Sequence, residues 1–232
     1  RRTPVTTYRL QMGAALTFDD ARRLVPYLHD LGITDVYLSP VLAAAPGSTH
    51  GYDVVDHTRI SEVMGGRAGL ERLADDVHAA GMGLVLDIVP NHMAVPTPAW
   101  HNLPLWSVLR DGPDSPYASW FDVSVEAPIL MPVLGARIGK VLADEQLVLD
   151  RMTVPTEPER GEQWVLRYFD HVFPVAEGTQ SLPMHVLVDR QHYRLAYWKV
   201  GDEETNYRRF FDVGTLAAIR VEDPEVFAGS HE

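Results

Sequence analysis

Five side chains that could do chemistry fall within eight positions: His50, Tyr52, Asp53, Asp56 and His57. A second set, Asp87, Asn91 and His92, sits in the stretch "LVLDIVPNHMA", residues 84–94. Imidazole, carboxylate, amide and phenol together suit a neutral polyhydroxy ligand. A sugar offers hydroxyls at its edge and C–H surface on its face. Tyr52 is the stacking candidate, and His50, Asp53 and His92 are hydrogen-bonding candidates. Each residue also has a purely structural reading. Asp87, within an apolar strand, would need a partner because a buried lone charge is costly. Tyr52 could anchor its loop, Asp53 and Asp56 could shape turns, and His57 could be solvated.

Other chemistries find no support in the sequence. Cysteine is absent, which removes disulfides, thiolate metal sites and thiol nucleophiles. There is no phosphate-binding glycine loop and no paired-histidine zinc helix, and "GSTHG" lacks a central serine. His50 and His57 are seven apart with no evident further ligands, so neither a metal nor another cofactor is expected. The net charge of −12 repels phosphate backbones and anionic lipid, so no nucleic acid and no membrane partner is expected. No run reaches transmembrane length and no targeting pattern stands out. A soluble, cytoplasmic protein is the expectation.

The elements that must position these residues alternate over the first 92 positions. "VTTYRL" (Val5 to Leu10) reads as a strand. Thr17 is a helix cap with Asp19 and Asp20 in the first turn, and Ala21, Leu24, Leu28 and Leu31 follow at helical spacing up to Gly32. Pro26 inside this helix predicts a kink. A second strand starts at Thr34, and a second helix over 67–80 carries Leu70, Leu73, Val77 and Ala80 on one face. A third strand runs from Leu84 to Val89, apolar at nearly every position but Asp87, as for a strand covered on both faces.

This β-α-β-α-β order implies parallel strands, in a doubly wound sheet or a (β/α)8 barrel, with ligands at the C-terminal strand ends. The long connection after Ser39 is apolar enough to be ordered and is expected over those ends. Beyond Met93, strand-like pieces such as "QLVLD", "QWVLRYF" and "QHYRLAYWKV" follow without clear helices between them, which predicts a β-rich segment. "NYRRFF" reads as a cationic patch on an aromatic ridge.

Taken together, the motifs carry a resemblance. "DIVPNH" resembles the third-strand signature of the α-amylase superfamily of (β/α)8 glycoside hydrolases and transglycosylases, "VYLSPV" its second strand, and "HGYDVVDHT" the loop after it. More narrowly, "PGSTHGYDVVD", "DIVPNHMAV", "MPVLG", "QHYRLAYW" and "NYRRFFDV", in that order, resemble the malto-oligosyltrehalose synthases. The resemblance implies an α/β fold comprising about three of the eight β/α units of a TIM barrel (residues 1–92), a β-rich insertion (93–205) and a return segment toward strand four (206–232). It implies intramolecular transglycosylation of a malto-oligosaccharide, from a reducing-end α-1,4 bond to an α,α-1,1 bond.

By the same resemblance Tyr52 stacks on the sugar and His92 binds its hydroxyls, with His50 and Asp53 nearby. Asp87 pairs with an arginine on the next strand, Asn91 supports the site or, in some relatives, a calcium ion, and Asp56 steadies Tyr52. The family's catalytic carboxylates match nothing in these residues. The expectation is therefore an N-terminal portion without synthase activity of its own, the rest of the barrel being its missing partner. Another α-glucan hydrolase, or a non-catalytic glucan-binding module, are the alternatives.

Overall fold

In the computed structural model, which describes residues 3–231, the chain divides into two units. Residues up to Pro90, with those from Ala228 on, form the first; Asn91–Phe227 form the second.

The first unit is built on three short parallel strands, β1 (Thr7–Leu10), β2 (Asp35–Leu38) and a third at Gly83–Leu86, in the spatial order first, second, third. Helix α1 (Phe18–Asp30) begins as read: the Thr17 side chain accepts from the Asp20 backbone, and Asp20 returns the bond to the Thr17 N–H. It continues through Pro26, which lies on the exposed face where the carbonyl it leaves unbonded can reach water. Helix α2 (Gly66–Ala79) follows the second strand, and Gly69 lets it approach Phe18 of α1; a Cβ there would lie 3.1 Å from the Phe18 ring. Leu10, Phe18, Val25, Leu28, Val36, Leu38, Leu73 and Val77 share one core, each large side chain contributing about 1.5–3 kcal/mol of burial.

Between β2 and α2 the long connection is ordered as a ribbon, β3 (Leu42–Ala44) paired antiparallel with β4 (Val54–Ile60). The third parallel strand is then β5.

Two expectations for β5 are corrected. The strand ends at Leu86, so Asp87 stands just past it, with its N–H donating to the Leu38 carbonyl as the ladder's last rung. Nor is it covered on both faces: Leu86 is 42% and Ile88 58% exposed. The apolar composition of this strand matches a two-sided environment that the described residues supply on one side only.

The second unit is mixed. Strand β6 (His92–Ala94) pairs with β13 (Val213–Ala218), which also pairs with β12 (Arg209–Phe210). Strand β7 (Ile129–Leu134) runs parallel to β11 (Tyr193–Tyr197), while β8 (Val148–Thr153), β9 (Glu162–Tyr168) and β10 (His171–Pro174) form an antiparallel sheet. Helices do stand ahead of the strand-like pieces "QLVLD", "QWVLRYF" and "QHYRLAYWKV". Helices α3 (Leu103–Asp111) and α4 (Ile138–Ala143) pack into the core. The α3 stretch, "LPLWSVLRD", is short and buried from Leu105 to Arg110, so from sequence it reads like any other brief apolar run. Its start was visible, since Asn102 caps Leu105 N–H at 3.0 Å and Pro104 follows.

Candidate functional site

The residues Arg9, Tyr37 and Val85 lie side by side on adjacent parallel strands. The neighbouring row, Leu10 and Leu38, belongs to the core under the helices, so by the alternation of a strand the Arg9 row faces away from that core. On this face the Asp87 carboxylate collects two phenols. Its Oδ2 accepts from Tyr52 at 2.7 Å and from Tyr37 at 2.9 Å. Arg9 donates to the Tyr52 oxygen at 3.4 Å and to Gln11 at 2.9 Å, with its guanidinium 5.6 Å from the centre of the Tyr37 ring. Acceptance by the anionic Asp87 is the main reason the Tyr52 phenol is held above its usual titration range; partial burial adds to it and Arg9 opposes it.

The Tyr52 ring is 36% exposed although its hydroxyl is tied down. It is carried by the turn before β4. Gly51 takes φ +78°, and a Cβ there would fall 2.8 Å from the Pro40 carbonyl oxygen, so only glycine fits. Ser48 closes the turn, accepting from Gly51 N–H at 3.1 Å and donating to the Asp53 carboxylate. His50 accepts from the Tyr52 N–H at 3.0 Å through Nδ1, lies 3.7 Å from Asp53, and its ring runs nearly parallel to that of Tyr52 with 6.0 Å between centres.

Asp56 does something other than expected. Its carboxylate takes the Thr58 N–H and hydroxyl at 2.9 and 2.6 Å and the Arg59 guanidinium at 2.8 Å. Burial pushes the group up, but these bonds outweigh it and leave Asp56 below the usual carboxylate range. The groups on the Tyr52 hydroxyl are Asp87 and Arg9 instead. His57 is not solvated; it is 8% exposed and bonds the Val89 carbonyl at 2.8 Å.

In the second unit, Asn91 and His92 adjoin. The Asn91 Oδ1 lies 2.9 Å from His92 Nδ1, and the Asn91 carbonyl accepts from Ile219 N–H. His92 is 2% exposed and stacks on Phe210 with ring centres 4.2 Å apart. The basic residues beside Phe210 are paired, Arg208 with Asp122 and Arg209 with Asp202.

Residues 22–226 match the model of the α-amylase catalytic domain. The chain belongs to the α-amylase family. This α-amylase-family chain is 41% identical to a putative maltooligosyl trehalose synthase of Mycobacterium tuberculosis, in an alignment covering 98% of the chain and 28% of that protein. It superposes on the structure of maltooligosyltrehalose synthase from Arthrobacter ramosus with a TM-score of 0.87 at 45% identity, again covering 98% of the chain and 28% of the other. The intracellular maltogenic amylase of Bacillus subtilis is 34% identical over 97 residues, 42% of the chain. The chain thus spans less than a third of the length of these relatives. The family places it in the TIM-barrel superfamily, as its first three parallel strands suggest.

Sequence reasoning found Tyr52 and Asp87 but missed Arg9, Gln11 and Tyr37. A signal was present: Thr7, Arg9 and Gln11 alternate with Tyr8 and Leu10, a period of two in a strand that a fully buried barrel position would make apolar throughout. Among the described residues no cluster of acidic or histidine side chains could hold a metal, and no helix is long and apolar enough to cross a membrane.

Proposed function

We propose that these residues form the sugar-holding, N-terminal part of a malto-oligosyltrehalose synthase, a (1→4)-α-D-glucan 1-α-D-glucosylmutase acting in the cytoplasm. The observation that carries this reading is Tyr52: an aromatic ring left exposed while its hydroxyl is fixed by Asp87 and Arg9. A ring held this way is a platform for a glucose face at little entropic cost. His50 and Asp53, tied to the same turn, would meet hydroxyls at the sugar edge. His92 is a further hydroxyl-binding residue in this reading. The identity of 41–45% with relatives carrying the synthase name supports the assignment of substrate. In this reading residues 1–92 supply three of eight barrel units, 93–205 an insertion after the third strand, and 206–232 the return toward the fourth.

The carboxylates seen here are engaged in positioning. Retaining transfer needs a nucleophile and an acid/base group about 5 Å apart across the bond. Asp53 holds Ser48, Asp56 holds Thr58 and Arg59, and Asp87 holds two phenols. Each of these three has a structural partner, which supports placing the catalytic pair in the part of the relatives' length that this chain does not span.

Incubating the 232-residue chain with maltopentaose and analysing products by chromatography should give no trehalose-terminated oligosaccharide. In a protein extended to the relatives' length, Tyr52→Ala should raise KM about tenfold or more, one lost stacking contact being worth roughly 1–2 kcal/mol. Product from the short chain, or an unchanged KM in Tyr52→Ala, would sink the reading.

A further inference from the structure

The segment that leaves β5 carries Asp87 and, five residues after it, His92, yet residues 87–90 have no regular structure. Besides the bonds at Asp87, a buried side chain holds its backbone further along. His57, in the middle of β4, is 8% exposed and places Nε2 2.8 Å from the Val89 carbonyl oxygen. A carbonyl only accepts, so Nε2 carries the proton and the imidazole is the neutral Nε2–H tautomer. The Nδ1 atom is then a buried acceptor, and among the described residues nothing donates to it. A second proton on Nδ1 would be a buried donor with nowhere to go, so the tautomer is set from both sides.

The ribbon and the strand exit thus meet twice. Tyr52 bonds the Asp87 side chain at 2.7 Å, and His57, five residues on, bonds the Val89 backbone two residues on. Two fixed points so close together define both the separation and the register of the segments, whereas the Tyr52 bond alone, 36% exposed, could trade Asp87 for water.

We infer that His57 is a positioning residue: its clamp on the Val89 carbonyl holds the strand exit in place so that Asp87 fixes the Tyr52 platform. It touches no sugar. This rests on the platform reading above for its purpose, but its geometry can be tested apart from that reading.

The test uses the whole 232-residue chain with labelled tyrosine ring carbons, Tyr52 being assigned with Tyr52→Phe. The Tyr52 phenol faces Asp87 and Arg9, and its titration reports whether Asp87 is still in place. His57→Asn puts its amide short of Val89, whereas in His57→Gln the amide nitrogen reaches the former Nε2 position. The expected result is a Tyr52 phenol that titrates lower in His57→Asn, toward ordinary tyrosine, and returns to the parent value in His57→Gln. Identical Tyr52 titration in all three chains would overturn the inference. Should His57→Asn not fold, ring nitrogen shifts of the parent chain decide: the Nε2–H form of His57 supports the clamp, and the Nδ1–H form overturns it.

A calorimetric titration with maltopentaose separates the two readings. Weakening by about tenfold in His57→Asn but not in His57→Gln supports both. A Tyr52 titration that shifts in His57→Asn, together with no maltopentaose binding by the parent, keeps the positioning role and tells against the sugar platform.

Discussion

Tyr52 and Asp87, 35 positions apart in the chain, meet through a 2.7 Å hydrogen bond whose acceptor oxygen also takes the Tyr37 hydroxyl. The carboxylate is therefore a support, and its acceptance of that bond as an anion is the main reason the Tyr52 phenol sits above its usual titration range. Replacing it by an amide of the same shape should leave the bond but remove the charge. In Asp87→Asn the Tyr52 phenol is expected to titrate lower than in the parent, which ultraviolet or NMR titration measures. An unchanged phenol would mean that burial, the second cause, dominates.

Gly51 makes the turn that presents Tyr52. Alanine there combines a left-handed φ of +78° with a 2.8 Å approach to the Pro40 oxygen. Gly51→Ala should cost about 1–3 kcal/mol of stability, read from urea unfolding followed by a probe in the first unit. A stability within about 0.5 kcal/mol of the parent would show that the turn relaxes freely.

Glu157 is the charge at the heart of the second unit. Its carboxylate bonds Arg110, accepts from Trp106 Nε1 at 3.1 Å and pairs with Arg160 at 3.1 Å, while Arg110 is held from its other side by Asp111 at 2.8–2.9 Å. Side-chain exposures of 7% for Glu157 and 10% for Arg110 make this a buried pair. Glu157→Ala leaves a buried guanidinium short of its counter-charge and should destabilise the second unit by about 3–5 kcal/mol. A thermal melt of that unit unchanged from the parent would rule this out.

Acid should weaken the first unit through His57. Burial pushes its imidazole below the usual histidine range; the Val89 bond and the neighbouring Asp56 oppose this, and His231 adds to the lowering. In the unfolded chain His57 binds its proton below about pH 6.5. The folded state binds it only at lower pH, so the contribution is complete above about 6.5 and is lost as pH falls toward the lowered folded value. The stability of the parent relative to His57→Gln should therefore fall on acidification through that window. A difference that stays flat would refute the assignment.

Much of the first unit was legible because its signals are local. The Thr17–Asp20 capping box, the apolar stripes through Leu28 and Leu73, and Gly32 and Gly81 with φ near +80° all act within a few residues of themselves. Even so, the sequence placed Asp87 inside a strand that ends at Leu86, because an apolar run shows propensity but not where a ladder loses its partner. In the second unit α3 went unread, since a helix buried on all sides looks like any other apolar run.

The candidate site divides in the same way. Its residue types, an exposed tyrosine among histidines and aspartates, were set by sequence, as was the glycine before it. Which carboxylate serves which partner was decided only by tertiary structure. Asp56, the nearer in sequence, is drawn to Thr58 and Arg59 by its own turn, while Asp87 reaches Tyr52 because β5 lies beside β2 and the β4 ribbon bends back over their ends. Likewise nothing local distinguishes His57 from a solvated histidine; its role exists only because the Val89 carbonyl arrives from 32 residues away. Hydrogen-bond partners across such distances follow from how the strands pack, and packing is a property of the whole fold.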